Sequence, residues 1–413
     1  MKKRTFLPQK AVRLLAFLLV AAMLAGCEKN KTPNPPDGTE TIEPGGKDSD
    51  NDPVNNPDQE TDQSDQDEQG DREALENEAK DDEPYTDGMV NVRNPQTINW
   101  DSDKSIVQTA MDNQTMIIQF MSGEGCYIGG SGSNTTKWGD AVLLVFPNGE
   151  TMLIDAGMQD YGSYLVENLK KLGVEKLDYC MMSHQHEDHY AGFLPAGGVF
   201  DSFEVGTFLY SGIYSAAYGA RAKIRIEQVA ELNGTKLVTV ARGDEYWFGD
   251  VKMTVLSPEP GRAGGVSYTN SDESVNADSV VVRFDYGECS YLTAGDLYAQ
   301  EEKNLMSRID TSLLEVDIAK MDHHGRTTSS CDAWCEALNA KIAVATGSIA
   351  VTEGTYHSYA KLGTVPYVDT YDGFVRVEAK KDGSFTVTTS RKRDHETFDL
   401  LDKKNGIERK SQY

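Results

Sequence analysis

The sequence predicts an α+β fold in which two stacked β-sheets form the core and helices lie outside them. Short apolar runs alternate along the chain with segments of helical spacing, which is typical of sheets covered by helices. Turn sequences such as Pro147-Asn148-Gly149 and Tyr286-Gly287 join neighbouring apolar runs into hairpins. Because hairpins pair strands antiparallel, these turns disfavour a purely parallel sheet.

Predicted strands and helices are interleaved, with no internal repeat. Apolar runs predict strands at Met116–Met121, Ala141–Phe146, Thr151–Ile154, Leu177–Met182, Phe203–Tyr210, Lys236–Val240, Tyr246–Phe248, Val251–Leu256, Ser279–Asp285, Ser290–Thr293, Val316–Met321 and Ile342–Thr346. Helical patterns are found at 162–172, Ala217–Leu232, 297–308 and Ala333–Leu338. The tail from Phe374 alternates in the manner of a strand, and residues 91–115 are ambiguous.

The first 27 residues have the pattern of a secretory signal peptide. Five basic residues and no acid precede an apolar run from Leu14 to Leu24. A membrane-spanning helix is the alternative, but it needs roughly 20 apolar residues. The run ends at Leu24-Ala25-Gly26-Cys27, which resembles a bacterial lipobox. That resemblance implies that Cys27 carries lipid and anchors the chain to a bacterial membrane on its extracytoplasmic side.

Residues 28–90 are predicted to be a disordered, acidic tether. They contain 21 Asp and Glu against 5 Lys and Arg, with few aliphatic side chains to bury. Residues 91–413, the predicted folded domain, carry a net charge of −15 within the −26 of the whole chain. An acidic domain lacks the basic surface that binding to a nucleic-acid backbone normally requires. A long nucleic acid is therefore a disfavoured partner.

The cysteines and tryptophans have simple interpretations. Cys180 and Cys289 lie in apolar runs and are expected to be buried free thiols. Cys331 and Cys335 are neighbours on a predicted helix, and the sequence contains no disulfide framework. Core packing is expected for three tryptophans, namely Trp138, Trp247 and Trp334.

Metal-ligand residue types follow the ends of several predicted strands. These residues are Asp155, His184, His186, Asp188, His189, Asp296 and His323. Imidazole and carboxylate groups are ligands that zinc and similar ions prefer, and loops at strand ends are where scaffolds place reactive groups. Two ions held close together would generate a hydroxide at neutral pH and stabilise a displaced oxyanion.

The segment His184-Gln185-His186-Glu187-Asp188-His189 resembles the His-x-His-x-Asp-His signature of the metallo-β-lactamase superfamily of metal-dependent hydrolases. Asp155 in Leu-Ile-Asp-Ala-Gly matches that family's upstream Asp, and Asp296 matches its bridging Asp. The resemblance runs from Met116 to Thr389. It implies a four-layer αβ/βα sandwich for residues 91–413.

Within the superfamily, the chain is most similar to the hydrolase domain of ComEC-type DNA-uptake proteins. The similarity rests on Gly139-Asp140-Ala141, on Asn276-Ala-Asp278-Ser279 and on Asp322-His323-His324-Gly325. There are three departures, the first of which is an extra Gly/Ser-rich insertion before Gly139-Asp140. Arg326 stands where Ser is usual, and no His lies between His189 and His323. The usual third His of the first metal is therefore missing, and Asn276 or Asp278 occupies its region.

The resemblance implies a role for each matching residue. His184 and His186 would bind one ion, Asp188 and His189 the other, and Asp296 would bridge them, with Asp155 supporting the site from behind. Either His323 or His324 would complete the second site; His323 is preferred because it follows the strand more closely. Asp188 would then orient the nucleophile, and His324 would face the substrate. Two zinc ions are expected, with manganese as the alternative. His357 is interpreted as structural, with substrate contact as the alternative.

Three functions follow from these residues. The first is a lipid-anchored hydrolase that cleaves a phosphodiester or related ester through a metal-bound hydroxide, on a small or wall-component substrate. The second is a hydrolase of lactams, amides or thioesters. The third is a surface binding protein that has kept the fold without catalysis. The oligomeric state stays open.

Overall fold

The structure, a computed structural model, describes residues 96–98, 104–123, 138–215, 219–267, 272–347, 353–393, 402–404 and 406. The predicted signal peptide, the lipidation site Cys27 and the predicted acidic tether lie outside the described residues. No helix within the described ranges is long and apolar enough to cross a membrane.

The described residues include strands of two to seven residues. The strands are β1 Gln96–Thr97, β2 Met116–Phe120, β3 Val142–Val145, β4 Thr151–Ile154, β5 Leu177–Met181, β6 Val205–Tyr210, β7 Tyr214–Ser215, β8 Lys236–Thr239, β9 Glu245–Phe248, β10 Val251–Ser257, β11 Val266–Ser267, β12 Val281–Tyr286, β13 Cys289–Thr293, β14 Ile318–Lys320, β15 Ile342–Ala345, β16 Val365–Val368, β17 Val375–Ala379 and β18 Phe385–Thr389.

The helices lie between these strands. They are α1 Ile106–Asn113, α2 Gln159–Lys171, α3 Glu187–Tyr190, α4 Val199–Ser202, α5 Gly219–Asn233, α6 Asp272–Asn276, α7 Ala299–Met306, α8 Asp332–Leu338, α9 Glu353–Ala360 and α10 Asp369–Asp372. Short 3₁₀ turns cover Ala191–Phe193, Thr311–Leu313 and Asp322–Gly325.

The described strands form two large mixed sheets. The first has nine strands in the order β1-β18-β17-β2-β3-β4-β5-β6-β8. The second has seven, in the order β16-β15-β14-β13-β12-β10-β9. In each sheet antiparallel pairs such as β3–β4 and β12–β13 adjoin parallel pairs such as β4–β5 and β13–β14. β7 and β11 form a separate short parallel pair.

Apolar side chains divide the domain into four layers. In β2, Ile118 and Phe120 pack into a core between the sheets, while Ile117 packs into a second core under the helices. The core between the sheets also takes Phe284 and Ile318 from the second sheet. A third core joins the outer face of the second sheet to α7, α8 and α9. The order is therefore helix, sheet, sheet, helix, as the predicted αβ/βα sandwich requires.

The structure changes a few local expectations. The ambiguous stretch before β2 contains helix α1. Ser105 caps the start of this helix, because its hydroxyl accepts a hydrogen bond from the Gln108 N–H. Trp334 is fully buried as predicted, but the prediction for Trp247 is wrong, because its side chain is 63% exposed on the edge strand β9. Cys180 and Cys289 are buried free thiols, as predicted.

Several strands end at the same place in the molecule. The first residue after β4 is Asp155, and its N–H donates to Met181 O at the end of β5. On the second sheet, the His323 N–H that follows β14 donates to Gly295 O beyond β13. Contacts between these loops, described next, bring the two groups of strand ends together.

Candidate metal centre

Asp155 holds the histidine segment from behind. Its carboxylate accepts from the backbone N–H of Ser183 at 2.7 Å and from the Ser183 hydroxyl at 2.6 Å. The same carboxylate accepts from His189 Nδ1 at 2.8 Å. Since Nδ1 donates to Asp155, His189 Nε2 is directed away from Asp155.

Asp140, which precedes β3 of the first sheet, orients His324 of the second sheet in the same way. His324 Nδ1 donates to Asp140 Oδ1 at 2.9 Å, and the Thr346 hydroxyl donates to the same oxygen. The Asp140 N–H donates to Asp188 O at 2.9 Å. Asp140 therefore links the histidine segment to the turn that carries His324 through hydrogen bonds.

The ring nitrogens opposite these carboxylates converge on two more acids. His189 Nε2 lies 3.1 Å and His324 Nε2 lies 3.2 Å from Asp296 Oδ2. His324 Nε2 is also 3.2 Å from Asp188 Oδ2, and His189 Nε2 is 4.0 Å from Asp188 Oδ1. All four side chains are at least nine-tenths buried.

The spacing of these atoms fits a metal ion. Ligand atoms about 2.0–2.2 Å from a tetrahedral zinc lie about 3.3–3.6 Å from one another. The two Nε2 atoms are close to Asp296, yet neither is aligned for a hydrogen bond with any described residue. A buried nitrogen without a hydrogen bond is costly, and an ion bound by both nitrogens in place of their protons would remove that cost.

One potential ligand atom from each of Asp140, His189, Asp296 and His324 lies within 4.8 Å of the others. Asp140 has a different role in this group, because Oδ1 accepts from His324 and Thr346 and Oδ2 pairs with Lys320 at 2.6 Å. We therefore assign Asp140 to orienting His324. Asp188 takes its place beside the converging nitrogens.

His184 and His186, predicted as ligands of a first ion, lie beside this group. His184 Nε2 is 3.0 Å from His186 Nδ1, and the His184 ring centroid is 4.1 Å from that of His189. In the described part of the chain, this pair belongs to no group of three potential ligands. Asn276 is buried at the end of α6 with no hydrogen-bond partner for Oδ1 among described residues.

The two adjacent histidines of the second sheet face different surroundings. Both have positive φ, 49° for His323 and 60° for His324, so the backbone turns sharply between β14 and Gly325. His324 points inward to Asp188 and Asp296. His323 Nε2 is 3.8 Å from Asp296, its Nδ1 contacts Thr328 Oγ1 at 2.5 Å, and its ring packs on Tyr298. Of the two histidines, His324 therefore lies closer to both acids, although the sequence prefers His323 as the ligand.

Burial and charge set the protonation of these groups. Burial opposes protonation of His189, but the Asp296 and Asp155 carboxylates outweigh it and raise the pKa of His189 to about 10. Burial also disfavours the charged form of Asp188, yet the adjacent His324 imidazole holds the Asp188 pKa well below its usual range. Burial lowers the pKa of His323 to about 4, so His323 is neutral at pH 7.

The sequence analysis gave no role to three residues that lie at this centre. A further candidate, His357, lies elsewhere. Asp140 was part of a recognised motif but received no role, and Lys320 and Ser183 received none either. A polar residue at the end of an apolar strand, as in Asp317-Ile-Ala-Lys320, is the signal that marks Lys320. His357 lies on α9, near Asp332 of α8.

One family model matches the part of the chain that carries the histidine segment. Residues 138–212, from the segment that carries Asp140 to just past the end of β6, match the sequence model described as the metallo-beta-lactamase superfamily. Over these residues the chain is therefore similar to that superfamily.

Two curated proteins and one solved structure are similar to this chain. ComE operon protein 3 of Bacillus subtilis (strain 168) is 24% identical over 180 residues, covering 44% of this chain and 21% of that protein. Competence protein ComA of Neisseria gonorrhoeae is 27% identical over 191 residues, covering 45% and 22%. The chain thus spans about a fifth of the length of these two relatives.

The solved structure similar to this chain is that of the metallo-beta-lactamase fold protein YhfI from Bacillus subtilis. It is 16% identical, with a TM-score of 0.36, and the match covers 61% of this chain and 96% of that one.

Proposed function

We propose that this chain is a metal-dependent hydrolase that cleaves a phosphodiester or a related ester. The observation that carries the proposal is the convergence of His189 Nε2, His324 Nε2 and carboxylate oxygens of Asp188 and Asp296 at ligand spacing. Asp140 and Asp155, which fix the two imidazoles from behind, support it.

The proposed centre would hold zinc, with manganese as the alternative, on those four residues. Such an ion supplies Lewis acidity and lowers the pKa of water to near neutrality. A second ion would rest on His184 and His186 with Asp296 as the bridge. That position is the weaker one, because in the described part of the chain His184 and His186 belong to no close group of three potential ligand atoms.

The remaining groups have roles that follow from their protonation. Asp188 stays ionised at neutral pH and can accept a hydrogen bond from an attacking water, which orients that water. His323 is neutral and less buried than His324, and its ring packs on Tyr298 at a centroid distance of 4.9 Å. It is therefore the histidine suited to contact the substrate or the leaving group.

An anionic substrate of small size fits the charges best. Arg326 is exposed two residues beyond His324 and forms no ion pair with the described residues. A guanidinium in that position suits a phosphoester oxygen. Similarity to competence proteins favours nucleic acid as a second candidate substrate. The −15 charge of residues 91–413 argues against a long polyanion, so a small or wall-component ester comes first.

The proposal places the enzyme outside the cytoplasm, anchored by lipid on Cys27 and held off the membrane by residues 28–90. The lipobox-like sequence and the acidic composition support this location. Replacement of Cys27 by Ala should move the protein from the membrane fraction to the soluble fraction. Equal membrane retention of both forms would contradict lipid anchoring.

A substrate panel on the purified chain tests the activity. The chain is loaded with zinc or manganese and assayed on bis-p-nitrophenyl phosphate, a chromogenic cephalosporin and single-stranded DNA. We expect the small phosphodiester, bis-p-nitrophenyl phosphate, to be cleaved fastest. Preference for the cephalosporin would favour the lactamase alternative, and metal content well below one ion per chain would favour a binding protein.

The Asp188→Ala variant should lower kcat/KM on that phosphodiester by about 10²–10⁴-fold, because the group that orients water is lost. His357→Ala is the matched control, since His357 lies on α9 beside Asp332 of α8. It should keep most of the activity. Equal losses in the two variants would contradict the assignment of the site.

A further inference from the structure

Lys320 is a buried lysine directly beneath the metal centre. It is the last residue of β14, and its side chain is only 2% exposed. A buried ammonium is retained only where charged or polar partners surround it. Its partners here are all parts of the site.

Three segments of the centre meet at the Lys320 ammonium. Nζ donates to Gly295 O at 3.1 Å and to Met321 O at 3.1 Å, and it pairs with Asp140 Oδ2 at 2.6 Å. Gly295 immediately precedes Asp296, and Met321 begins the turn to His324. One cation therefore contacts the two loops that deliver these ligands and the carboxylate that orients His324.

The two carboxylate oxygens of Asp296 also face different partners, and one of these partners is Lys320. Oδ1 lies 3.9 Å from Lys320 Nζ, while Oδ2 faces the nitrogens of His189 and His324. Of the two Asp140 oxygens, one faces Lys320 and the other faces His324 Nδ1. Both acids thus have one oxygen toward the lysine and one toward an imidazole.

We propose that Lys320 is a positioning residue of the metal centre: its ammonium fixes Asp140 and Asp296 so that His324 and Asp296 Oδ2 are already in place for the ion. The inference rests on the metal centre of the proposed function and not on the substrate. Four buried carboxylates, those of Asp140, Asp155, Asp188 and Asp296, surround the two inward-facing imidazoles. The charge of Lys320 limits the repulsion among them before an ion enters.

The experiment measures metal affinity and thermal unfolding of the full chain carrying Lys320→Met. Zinc affinity is measured by competition with a chromogenic chelator, with no substrate present. We expect zinc to bind about 10–100-fold more weakly, the range found when partners behind metal ligands are removed. The Lys341→Met control removes another lysine–aspartate pair of the same sheet, which joins Lys341 to Asp317 at 2.8 Å. It should bind zinc as the unmodified chain does.

Further variants separate positioning from simple folding. Asp140→Asn, which keeps a polar group against Lys320 and His324, should weaken zinc affinity to a similar degree. Lys320→Arg keeps the charge and should recover part of the affinity lost in Lys320→Met. If Lys320→Met fails to fold, Asp140→Asn and Lys320→Arg decide the matter.

Three results would overturn the inference. They are unchanged zinc affinity in a folded Lys320→Met, unchanged affinity in Asp140→Asn, and Lys320→Arg no better than Lys320→Met. If the unmodified chain binds zinc with high affinity yet cleaves no phosphoester, the proposed substrate class fails while the role of Lys320 is still tested. If the unmodified chain binds no metal, both fail together.

Discussion

His323 and His324 are adjacent in sequence but differ in what they can bind. The positive φ of both residues turns the chain, so that one imidazole points inward and the other outward. His324 is 1% exposed and lies between Asp140, Asp188 and Asp296. His323 contacts Tyr298 and Thr328 instead. Mutation of each histidine can therefore test the proposed metal ligand and the proposed substrate contact separately.

His324→Gln should lose metal, whereas His323→Gln should keep it. Removal of the inward nitrogen deletes one converging ligand atom, and we expect zinc affinity to fall by at least about 100-fold. His323→Gln should bind zinc nearly as well as the unmodified chain but hydrolyse phosphodiester more slowly. Both are measured by metal analysis after dialysis, followed by steady-state kinetics. Metal loss confined to His323→Gln would restore the assignment that the sequence favours.

At the scale of single residues, the sequence predicts which side chains could bind a metal better than it predicts which side chains orient them. The cluster at 184–189 is visible because its residues are close together in the chain. Asp140 and Lys320 are not visible as a pair, because 180 positions separate them and only strand packing brings them together. The choice between His323 and His324 depends on backbone dihedrals, which side-chain spacing does not encode.

The turn that carries the two histidines depends on what approaches it from the neighbouring strand end. Gly347, just beyond β15, has φ of 89°, and a Cβ there would lie 2.4 Å from His324 Nδ1. That nitrogen is the one that donates to Asp140. A side chain at 347 would therefore separate His324 from Asp140.

Gly347→Ala should weaken zinc binding, whereas Gly243→Ala should not. Gly243 has φ of 96°, and a Cβ there would meet no atom within 4 Å, so both variants adopt an unfavourable positive φ that costs about 1–2 kcal/mol. Only Gly347→Ala also displaces His324. Thermal unfolding of the metal-free proteins and zinc competition give the two readouts. A similar zinc affinity in both variants would contradict the proposed contact.

The elements themselves are largely predictable, with instructive exceptions. Ile117, Ile118 and Phe120 pack on opposite faces of β2, and their unbroken apolar run is typical of a strand covered on both sides. Helix α1 escaped prediction because only Ile106 and Ala110 are buried, which leaves a short apolar stripe. Trp247 was misassigned because β9 is an edge strand, and strand order is a property of tertiary structure.

The two sheets of the domain meet at imidazole and carboxylate groups that can hold protons and, in the proposed function, a metal ion. His189 belongs to the first sheet's loops and His324 to the second sheet's loops, and both contact Asp296. Their charges and their ligand atoms therefore contribute to holding the sheet ends together. Protons and metal compete for the same nitrogens.

The stabilisation given by zinc should increase as the pH rises from about 6.5 toward 10. In the metal-free chain, Asp296 and Asp155 outweigh burial and raise the pKa of His189 to about 10. A raised pKa in the folded state stabilises the fold fully below the unfolded value of about 6.5. That contribution is lost as pH rises through about 10. The metal-free chain should therefore lose it over this window, while the zinc-loaded chain, whose nitrogens hold the ion, should not.

The measurement is the melting temperature with zinc and after chelation, at several pH values from about 7 to about 9, which lie within the window between the two pKa values. Zinc at about 1,000 times its Kd stabilises a folded chain by about 4 kcal/mol, which is a measurable shift. The shift should widen with pH, and it should be small at every pH in His324→Gln, which lacks one of the converging nitrogens. A shift that narrows as pH rises would mean that metal binding displaces no proton from these imidazoles. The two sheets would then be joined at a site whose ligands are not His189 and His324.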